Sequence, residues 1–169
     1  MVDIARATGI SKAGLYYHFP RKQDLLAAII NLAHDILERD VQKALVDSRS
    51  DEDALRRIIH THARLITRED DAAYAVLAVQ EMRSLLPEDR AQIAGRKRAY
   101  LAMIRQRLDS LAASGRLDGI DPTVATHTLS GMVLWLSNWY HPNGRLPDDE
   151  VANQIARLAV NAVLPNGGS

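Results

Sequence analysis

The sequence predicts an all-α protein, and two observations support this prediction. Strong helix formers, above all Ala, Leu, Arg, Gln and Glu, dominate nearly every window between glycine and proline residues. No stretch of Val, Thr or Phe shows the period of two that a half-buried strand requires. Hydrophobic residues make up 47% and charged residues 25% of the 169 residues, which is typical of a packed globular protein and excludes general disorder.

The boundaries of the helices follow from caps, glycines and prolines. Gly9 ends a first short helix, Ser11 caps a second one, and Pro20 closes it. The later helices repeat apolar residues at steps of three and four, which places an apolar stripe along each helix. The predicted helices, two short and six longer, cover residues 2–8, 12–18, 22–46, 51–66, 72–86, 87–113, 122–140 and 148–164.

The longer helices begin at residues that are typical of helix N-termini. Ser50 or Asp51 can cap the fourth helix with a side-chain oxygen. Pro87 begins the sixth helix and is followed by two acidic residues, which the helix dipole favours at this end. Asp121 before Pro122 combines a capping residue with a proline in the first turn, and it sets the start of the seventh helix.

Composition also excludes several kinds of site. The chain has no cysteine, so it has no disulfide, no thiolate zinc site and no cysteine nucleophile. Its 21 basic and 21 acidic residues balance, so binding to a polyanion must come from a local basic patch. No apolar run approaches the roughly 20 residues of a membrane span, and the N-terminus shows no signal-peptide pattern. We therefore expect a cytoplasmic protein without a membrane partner.

A basic window without acidic residues lies near the N-terminus. Residues 6–22 contain four Lys or Arg and no Asp or Glu, a pattern that a phosphate backbone favours whatever the net charge of the chain. Ala5 and Gly9 allow two short helices to cross closely through a tight turn. Lys22 begins the next helix, where free N–H groups can also bind a phosphate. The exposed side of the second short helix offers hydrogen-bond donors and aromatic edges from Lys12, Tyr16, Tyr17 and His18.

Residues 3–26 form one pattern at fixed spacing: Asp3-Ile4-Ala5-x-x-x-Gly9-Ile10-Ser11-x-x-x-Leu15-Tyr16-Tyr17-His18-Phe19-x-x-Lys22-x-x-Leu25-Leu26. This pattern resembles the helix-turn-helix signature of TetR-family transcriptional regulators. The resemblance implies a DNA-binding head at residues 1–24 and an effector-binding and dimerisation body at residues 25–169. Within the head, residues 2–8 would be the supporting helix and residues 12–18 the recognition helix.

The resemblance also implies roles for single residues of the head. Lys12, Ala13 and Gly14 would approach the base edges, which read the sequence of the DNA. Phosphate contacts, which set position and affinity, would come from Tyr16, Tyr17, His18 and Lys22. A tyrosine or histidine on a short helix is also commonly a packed surface residue, and this interpretation stays open beside the first.

Family members usually have a further amphipathic helix before this motif. The chain begins at Met1, already inside the supporting helix. A head of two short helices buries little apolar surface, so we expect an upstream coding stretch that supplies the helix. The alternative is a variant with a compromised head.

In the family's architecture the helices from about 51 to 115 surround an effector cavity, and the last two helices form a four-helix bundle with a second subunit. The sequence pattern supports the second part independently, because helix 122–140 has apolar residues on several faces. A two-fold dimer would also space two heads one DNA turn apart, about 34–36 Å. The residues expected at the dimer interface are Leu129, Met132, Leu136, Trp139, Val151, Ile155, Leu158 and Ala162. Packing of these residues within one chain only is the alternative interpretation.

A second and shorter pattern, Trp139-Tyr140-His141-Pro142-x-Gly144-x-Leu146, narrows the resemblance. It is similar to TetR-family regulators of steroid and fatty-acid breakdown, which respond to acyl-CoA thioesters. The implied effector has an apolar acyl or ring portion and a large anionic end, which apolar side chains and arginines can bind. The candidate ligand residues are His62, Tyr74, Leu77, Met82, Arg83, Arg96, Met103 and Trp135. For each of these, an ordinary core or solvated surface position is the alternative.

These observations predict a homodimeric, ligand-responsive transcriptional regulator, a repressor that a small-molecule effector releases from operator DNA. We expect no cofactor, no metal and no enzymatic activity. His60 and His62 lie about 200° apart around a helix and do not share a face. The sequence also contains no zinc-protease motif, phosphate-binding glycine loop or nucleophile elbow. The alternative function is a helical ligand-binding or interaction protein whose shortened head no longer recognises DNA.

Overall fold

The computed structural model describes residues 11–68, 82–117, 119–142 and 144–164, and within these ranges it contains helices and turns but no strand. The prediction of an all-α fold is confirmed. We number the helices α1 (Lys12–His18), α2 (Lys22–Leu45), α3 (Asp51–Thr67), α4 (Pro87–Ala113), α5 (Pro122–Leu134), α6 (Leu136–Trp139) and α7 (Asp148–Val163), and a 3₁₀ turn covers Met82–Ser84. The predicted helix 2–8 and most of the predicted helix 72–86 lie outside the described residues.

The predicted caps form where the sequence places them. The Ser50 hydroxyl accepts the N–H of Asp53 at 3.1 Å and closes the first turn of α3. The Asp121 carboxylate accepts the N–H of Thr123 at 2.7 Å at the start of α5. After the last turn of α4, Gly115 has a φ of +71°, a backbone conformation that only glycine adopts without a steric penalty. These contacts explain why the starts of α3 and α5 and the end of α4 were predictable.

Two predicted helices are wrong in detail. The helix predicted over 122–140 is interrupted at Trp135, where the N–H of Asn138 donates to the Trp135 carbonyl and the Ser137 hydroxyl donates to the Leu134 carbonyl. Such local bonds compete with the regular helical pattern and tighten one turn. The described end of the helix predicted over 72–86 is a 3₁₀ turn at Met82–Ser84 rather than an α-helix.

The main hydrophobic core lies between α3, α4, α5, α7 and the second half of α2. Helix α3 is central and packs against α2, α4 and α7. Its apolar stripe is buried, as are the residues of α4 and α5 that face it. Among the largest fully buried side chains are Ile58, Ile59, Ile104, Leu108 and Leu129.

The first part of helix α2 belongs to two smaller clusters, one of which contains a residue of α1. Near its start, Leu25 packs against Leu15 of α1. The adjacent residues Leu26 and Ala27, with Ile30 one turn later, form a separate cluster with Leu85 and Ile93. Within the described residues, the buried side chains that α2 contributes to the main core begin at Leu37, and half-buried Ile36 packs against this core. The long helix therefore connects the N-terminal head to the body through three successive contacts.

Within the described part of the chain, no helix is both long enough and apolar enough to cross a bilayer.

Candidate nucleic-acid interface and effector site

Helix α1 presents one side to solvent because its other side is held by packing and by a cap. The Ser11 hydroxyl accepts the N–H of Gly14 at 3.0 Å, and Leu15 is buried against Leu25. Tyr17 is 83% exposed, and its ring meets the ring of His18 edge-on with the two centroids 5.2 Å apart. Of the predicted DNA contacts on α1, Ala13, Tyr16, Tyr17 and His18 are exposed and Gly14 is half-buried, whereas the side chain of Lys12 lies outside the described residues.

At the start of α2, the exposed cation Lys22 lies next to an ion pair between Arg21 and Asp24. Lys22 is the first residue of α2 and its side chain is exposed. The Arg21 guanidinium donates to Asp24 at 2.6 Å, and the Arg21 backbone N–H donates to the same carboxylate at 2.9 Å. These bonds lower the pKa of Asp24. The Asp24 carboxylate thus already accepts the backbone N–H and the guanidinium of Arg21 at this helix start. Of the two cations Arg21 and Lys22, Lys22 is therefore the better placed to bind a phosphate.

A buried polar pair joins α3 to α4. His62 Nδ1 lies 2.9 Å from the Tyr100 hydroxyl, and the two rings meet edge-on with centroids 5.1 Å apart. His62 is only 7% exposed, and this burial, followed by the nearby His34, lowers the pKa of His62 to about 4. Burial also raises the pKa of Tyr100. Both side chains are therefore neutral at neutral pH, and His62, predicted to bind a ligand, has a partner within the protein.

Arg96 on α4 binds α2. Its guanidinium donates to Glu38 at 3.0 Å, to Asp35 at 2.6 Å, and to the carbonyl and side-chain oxygens of Asn31 at 3.2 and 3.1 Å. These bonds raise the pKa of Arg96. The structure thus engages the donors of Arg96 with oxygens of α2, and the predicted contact of Arg96 with the phosphates of an effector stays a prediction.

The other predicted ligand residues are dispersed. Met103 is half-buried against the main core, and Arg83 is exposed at the 3₁₀ turn. Trp135 is 64% exposed, and its predicted place in the effector chamber stays a prediction. Tyr74, Leu77 and the side chain of Met82 lie outside the described residues.

The predicted dimer residues divide into a buried set and an exposed set. Leu129, Leu136 and Val151 are buried in the core of the single chain, where Leu129 and Leu136 have no accessible surface. Their assignment to the dimer interface stays a prediction. Met132 and Ile155 are half-buried against this core. The exposed members are Trp139, Leu158 and Ala162.

A partly apolar groove of about 430 Å³ lies between the segment after α6 and the exposed side of α7. Its apolar wall includes Trp139, Leu146 and Ile155, and Leu158 stands on its α7 side. Leu158 is 57% exposed, which is a large exposed fraction for a leucine on a helix that otherwise buries its apolar stripe.

The sequence did not reveal the partners of two residues. Tyr100 falls at an apolar position of its helix, and Arg96 was expected either to contact an anionic ligand or to lie on a solvated surface. The signal for the His62–Tyr100 pair was that each residue is a polar residue within an apolar stripe of its helix, because buried polar groups need a hydrogen-bond partner. The predicted separation of His60 and His62 around their helix is confirmed, since His60 faces Asp149 of α7 and His62 faces α4.

Comparison with known proteins places these features in a family. The description "Bacterial regulatory proteins, tetR family" matches residues 1–29, and "Tetracyclin repressor-like, C-terminal domain" matches residues 48–163. The chain is 26% identical over 173 residues to the HTH-type transcriptional repressor KstR2 of Rhodococcus jostii (strain RHA1), covering 95% of this chain and 79% of that protein.

Two solved structures are similar in both sequence and fold. The crystal structure of AibR in complex with isovaleryl coenzyme A and operator DNA is 33% identical with a TM-score of 0.83, and it covers 96% of this chain and 85% of AibR. The TetR-family transcriptional regulator PfmR of Thermus thermophilus is 31% identical with a TM-score of 0.82, with coverages of 94% and 85%. The chain therefore belongs to the TetR family of DNA-binding transcriptional regulators, which are not enzymes.

Proposed function

We propose that this protein is a dimeric repressor that leaves its operator when an acyl-CoA thioester binds to its helical body. The observation that supports the effector class most directly is the similarity to AibR, whose structure contains both isovaleryl coenzyme A and operator DNA. The similarity extends over nearly the whole chain, so it includes both the head and the body.

We assign DNA binding to residues 1–24 and effector binding and dimerisation to residues 25–169. Three features of the described head support the first assignment. Its recognition helix is capped by Ser11 and held by Leu15, so its orientation relative to α2 is defined. Tyr17 extends into solvent, and Lys22 supplies a positive charge at the next helix start. Such side chains suit phosphate contacts, which position a recognition helix in the major groove. The site of action is then chromosomal DNA in the cytoplasm.

We assign the dimer contact to the exposed apolar residues of the last helices. Trp139, Leu158 and Ala162 are the exposed members of the predicted set, and the exposed Trp135 and Val124 add apolar surface on α5 and its end. A symmetric dimer buries the same patch on both subunits and brings two heads into a fixed relation. Two DNA half-sites one helical turn apart can be bound together only when the two heads are held at a fixed separation and orientation.

We assign the anionic end of the effector to cations near the first half of α4. Arg96 is engaged with α2, whereas Arg83, Lys97 and Arg98 are exposed and can approach phosphate groups. Arginine binds phosphate through two parallel hydrogen bonds, and lysine acts as a point charge.

The test is the release of operator DNA by defined compounds. Fluorescently labelled DNA from upstream of the protein's own gene is bound to the protein, and isovaleryl-CoA is then added while anisotropy is recorded. Coenzyme A alone and free isovalerate are the matched controls. We expect the thioester to release the DNA at concentrations where neither control does. The double variant Lys97→Ala/Arg98→Ala should need more thioester for the same release.

Equal release by free isovalerate would contradict the proposed coenzyme A contacts. If no acyl-CoA from short to long chain releases bound DNA, the effector belongs to another chemical class.

A further inference from the structure

The three clusters along α2 divide this helix into two parts with different neighbours. Up to Ile30, its buried side chains contact α1 or the small cluster with Leu85 and Ile93. From Leu37 onwards, they contact the main core. Among the residues that the structure describes, the first part is therefore supported by two small apolar clusters, and it is the part that adjoins α1.

The side chain of Arg96 spans the junction between these two parts. Its acceptors are Asn31, Asp35 and Glu38, which are spaced by four and three residues and so lie on one face of α2. Arg96 is itself only 19% exposed, whereas both carboxylates are considerably more accessible. A single exposed ion pair contributes little to stability, but a guanidinium with several acceptors fixes the geometry of the two helices it joins.

The other charged and titratable groups near this contact are consistent with a fixed position of Arg96. Half-buried His34 of α2 has a lowered pKa, caused first by burial and second by the charge of Arg96, with Lys97 also contributing. Four residues after Arg96 on the same helix, Tyr100 contacts His62 of α3. Helix α4 thus binds α2 at one turn and α3 at the next.

We propose that Arg96, with Asn31, Asp35 and Glu38, forms a clamp that sets the orientation of the DNA-binding head relative to the body. Because α4 contacts both α3 and α2, a movement of α4 in the body is transmitted through the clamp to the first part of α2 and to α1. Arg96 is a positioning residue: it acts on DNA through the orientation of α1. The inference rests on the proposed function for its DNA measurement, and a second measurement is independent of DNA.

The independent measurement is amide hydrogen exchange in the whole protein. In Arg96→Ala, we expect peptides from residues 22–34 to exchange about tenfold faster than in the wild type, because local opening of this part becomes easier. Peptides from residues 37–45 should change less than twofold. Arg116→Ala is the matched control, since Arg116 binds Glu52 of α3 at 2.6 Å and is remote from α2 in its contacts.

The second measurement is operator affinity by anisotropy. We assume that loss of the Arg96 contacts lowers the fraction of heads in the DNA-binding orientation about threefold. A dimer with two such heads then binds the operator about tenfold more weakly. Arg96→Lys keeps the charge but cannot reach all acceptors, so its operator affinity should lie between those of Arg96→Ala and the wild type. The thermal midpoint of each variant shows whether it is folded under the assay conditions.

The outcomes separate the clamp from a merely structural role. Unchanged exchange of residues 22–34, or equal acceleration over the whole of α2, would overturn the proposal. Selective acceleration with unaltered operator affinity would also overturn it, because the head orientation would then be independent of the clamp. If the wild type itself fails to bind its operator, the proposed function fails, and the exchange pattern alone decides whether the clamp exists.

Discussion

The buried His62 makes a quantitative prediction about stability and pH. Its pKa in the folded protein is about 4, against an ordinary value of 6.5, and the main cause is burial. Between these two pH values the unfolded chain binds a proton at His62 that the folded chain does not bind. The free energy of unfolding therefore decreases as the pH decreases through this range, by about 1.4 kcal/mol per pH unit.

The expected size of this effect is about 2 kcal/mol between pH 7 and pH 5, and about 3 kcal/mol once the pH is below 4. The contribution needs little correction for solvent, since the imidazole is almost completely buried. His34 and His60 also have lowered pKa values, so they add to the acid sensitivity of the wild type.

The variant His62→Asn isolates the contribution of His62. Asparagine keeps a polar group near the position of Nδ1, opposite the Tyr100 hydroxyl, and does not titrate. His127→Asn is the matched control because His127 is an exposed histidine on α5. Urea unfolding is followed by circular dichroism at pH 7, 6 and 5, with one fixed protein concentration because dimerisation affects apparent stability.

We expect His62→Asn to be less stable than the wild type at pH 7 by about 1–3 kcal/mol, since the substitution disturbs a buried hydrogen bond. The difference between the two proteins should then shrink as the pH is lowered, by about 2 kcal/mol at pH 5. The control should follow the wild type. If the wild type and His62→Asn lose stability in parallel, His62 is not a neutral buried group in the folded protein.

Three further predictions concern the head, the dimer and a helix cap. Tyr17→Ala should weaken operator binding several-fold without changing the oligomeric state, as measured by anisotropy and sedimentation; unchanged affinity would remove Tyr17 from the DNA contacts. Leu158→Arg should shift the sedimentation equilibrium from dimer to monomer because it places a charge in the proposed interface, whereas Leu158→Met should remain dimeric. A dimer that is equally stable with arginine would place the interface elsewhere. Ser50→Ala should lower the free energy of unfolding by about 1 kcal/mol, and Ser50→Gly by less, in urea titrations at pH 7. Equal stability of all three proteins would show that the cap of α3 is energetically unimportant.

Local chemistry explains why most of the fold was predictable from the sequence. The starts of α3 and α5 depend on Ser50 and Asp121, which bond to N–H groups two or three residues away, so a short window contains the whole signal. The interruption at Trp135 depends on a balance between nearly equivalent backbone bonds, and no proline or glycine marks it.

The predicted site residues were harder to place because periodicity does not identify the neighbour of an apolar stripe. Leu129 and Leu158 both lie on apolar positions, yet one is fully buried in the core and the other is largely exposed. The partners of Arg96 lie 58 to 65 residues away in the sequence, at a distance that no local rule reaches. An arginine in a basic run predicts an anion contact, and only the packing of α4 on α2 shows which anions are near.

The most direct test of the central claim is a titration of operator DNA at several salt concentrations. The wild-type protein and Lys22→Ala are each added to labelled DNA from upstream of the gene, with random duplex as competitor. We predict saturable binding that random duplex does not displace, with a steep salt dependence whose slope is smaller by about one unit in Lys22→Ala. Binding that random duplex displaces as easily as the operator itself would contradict the assignment of a functional DNA-binding head to residues 1–24.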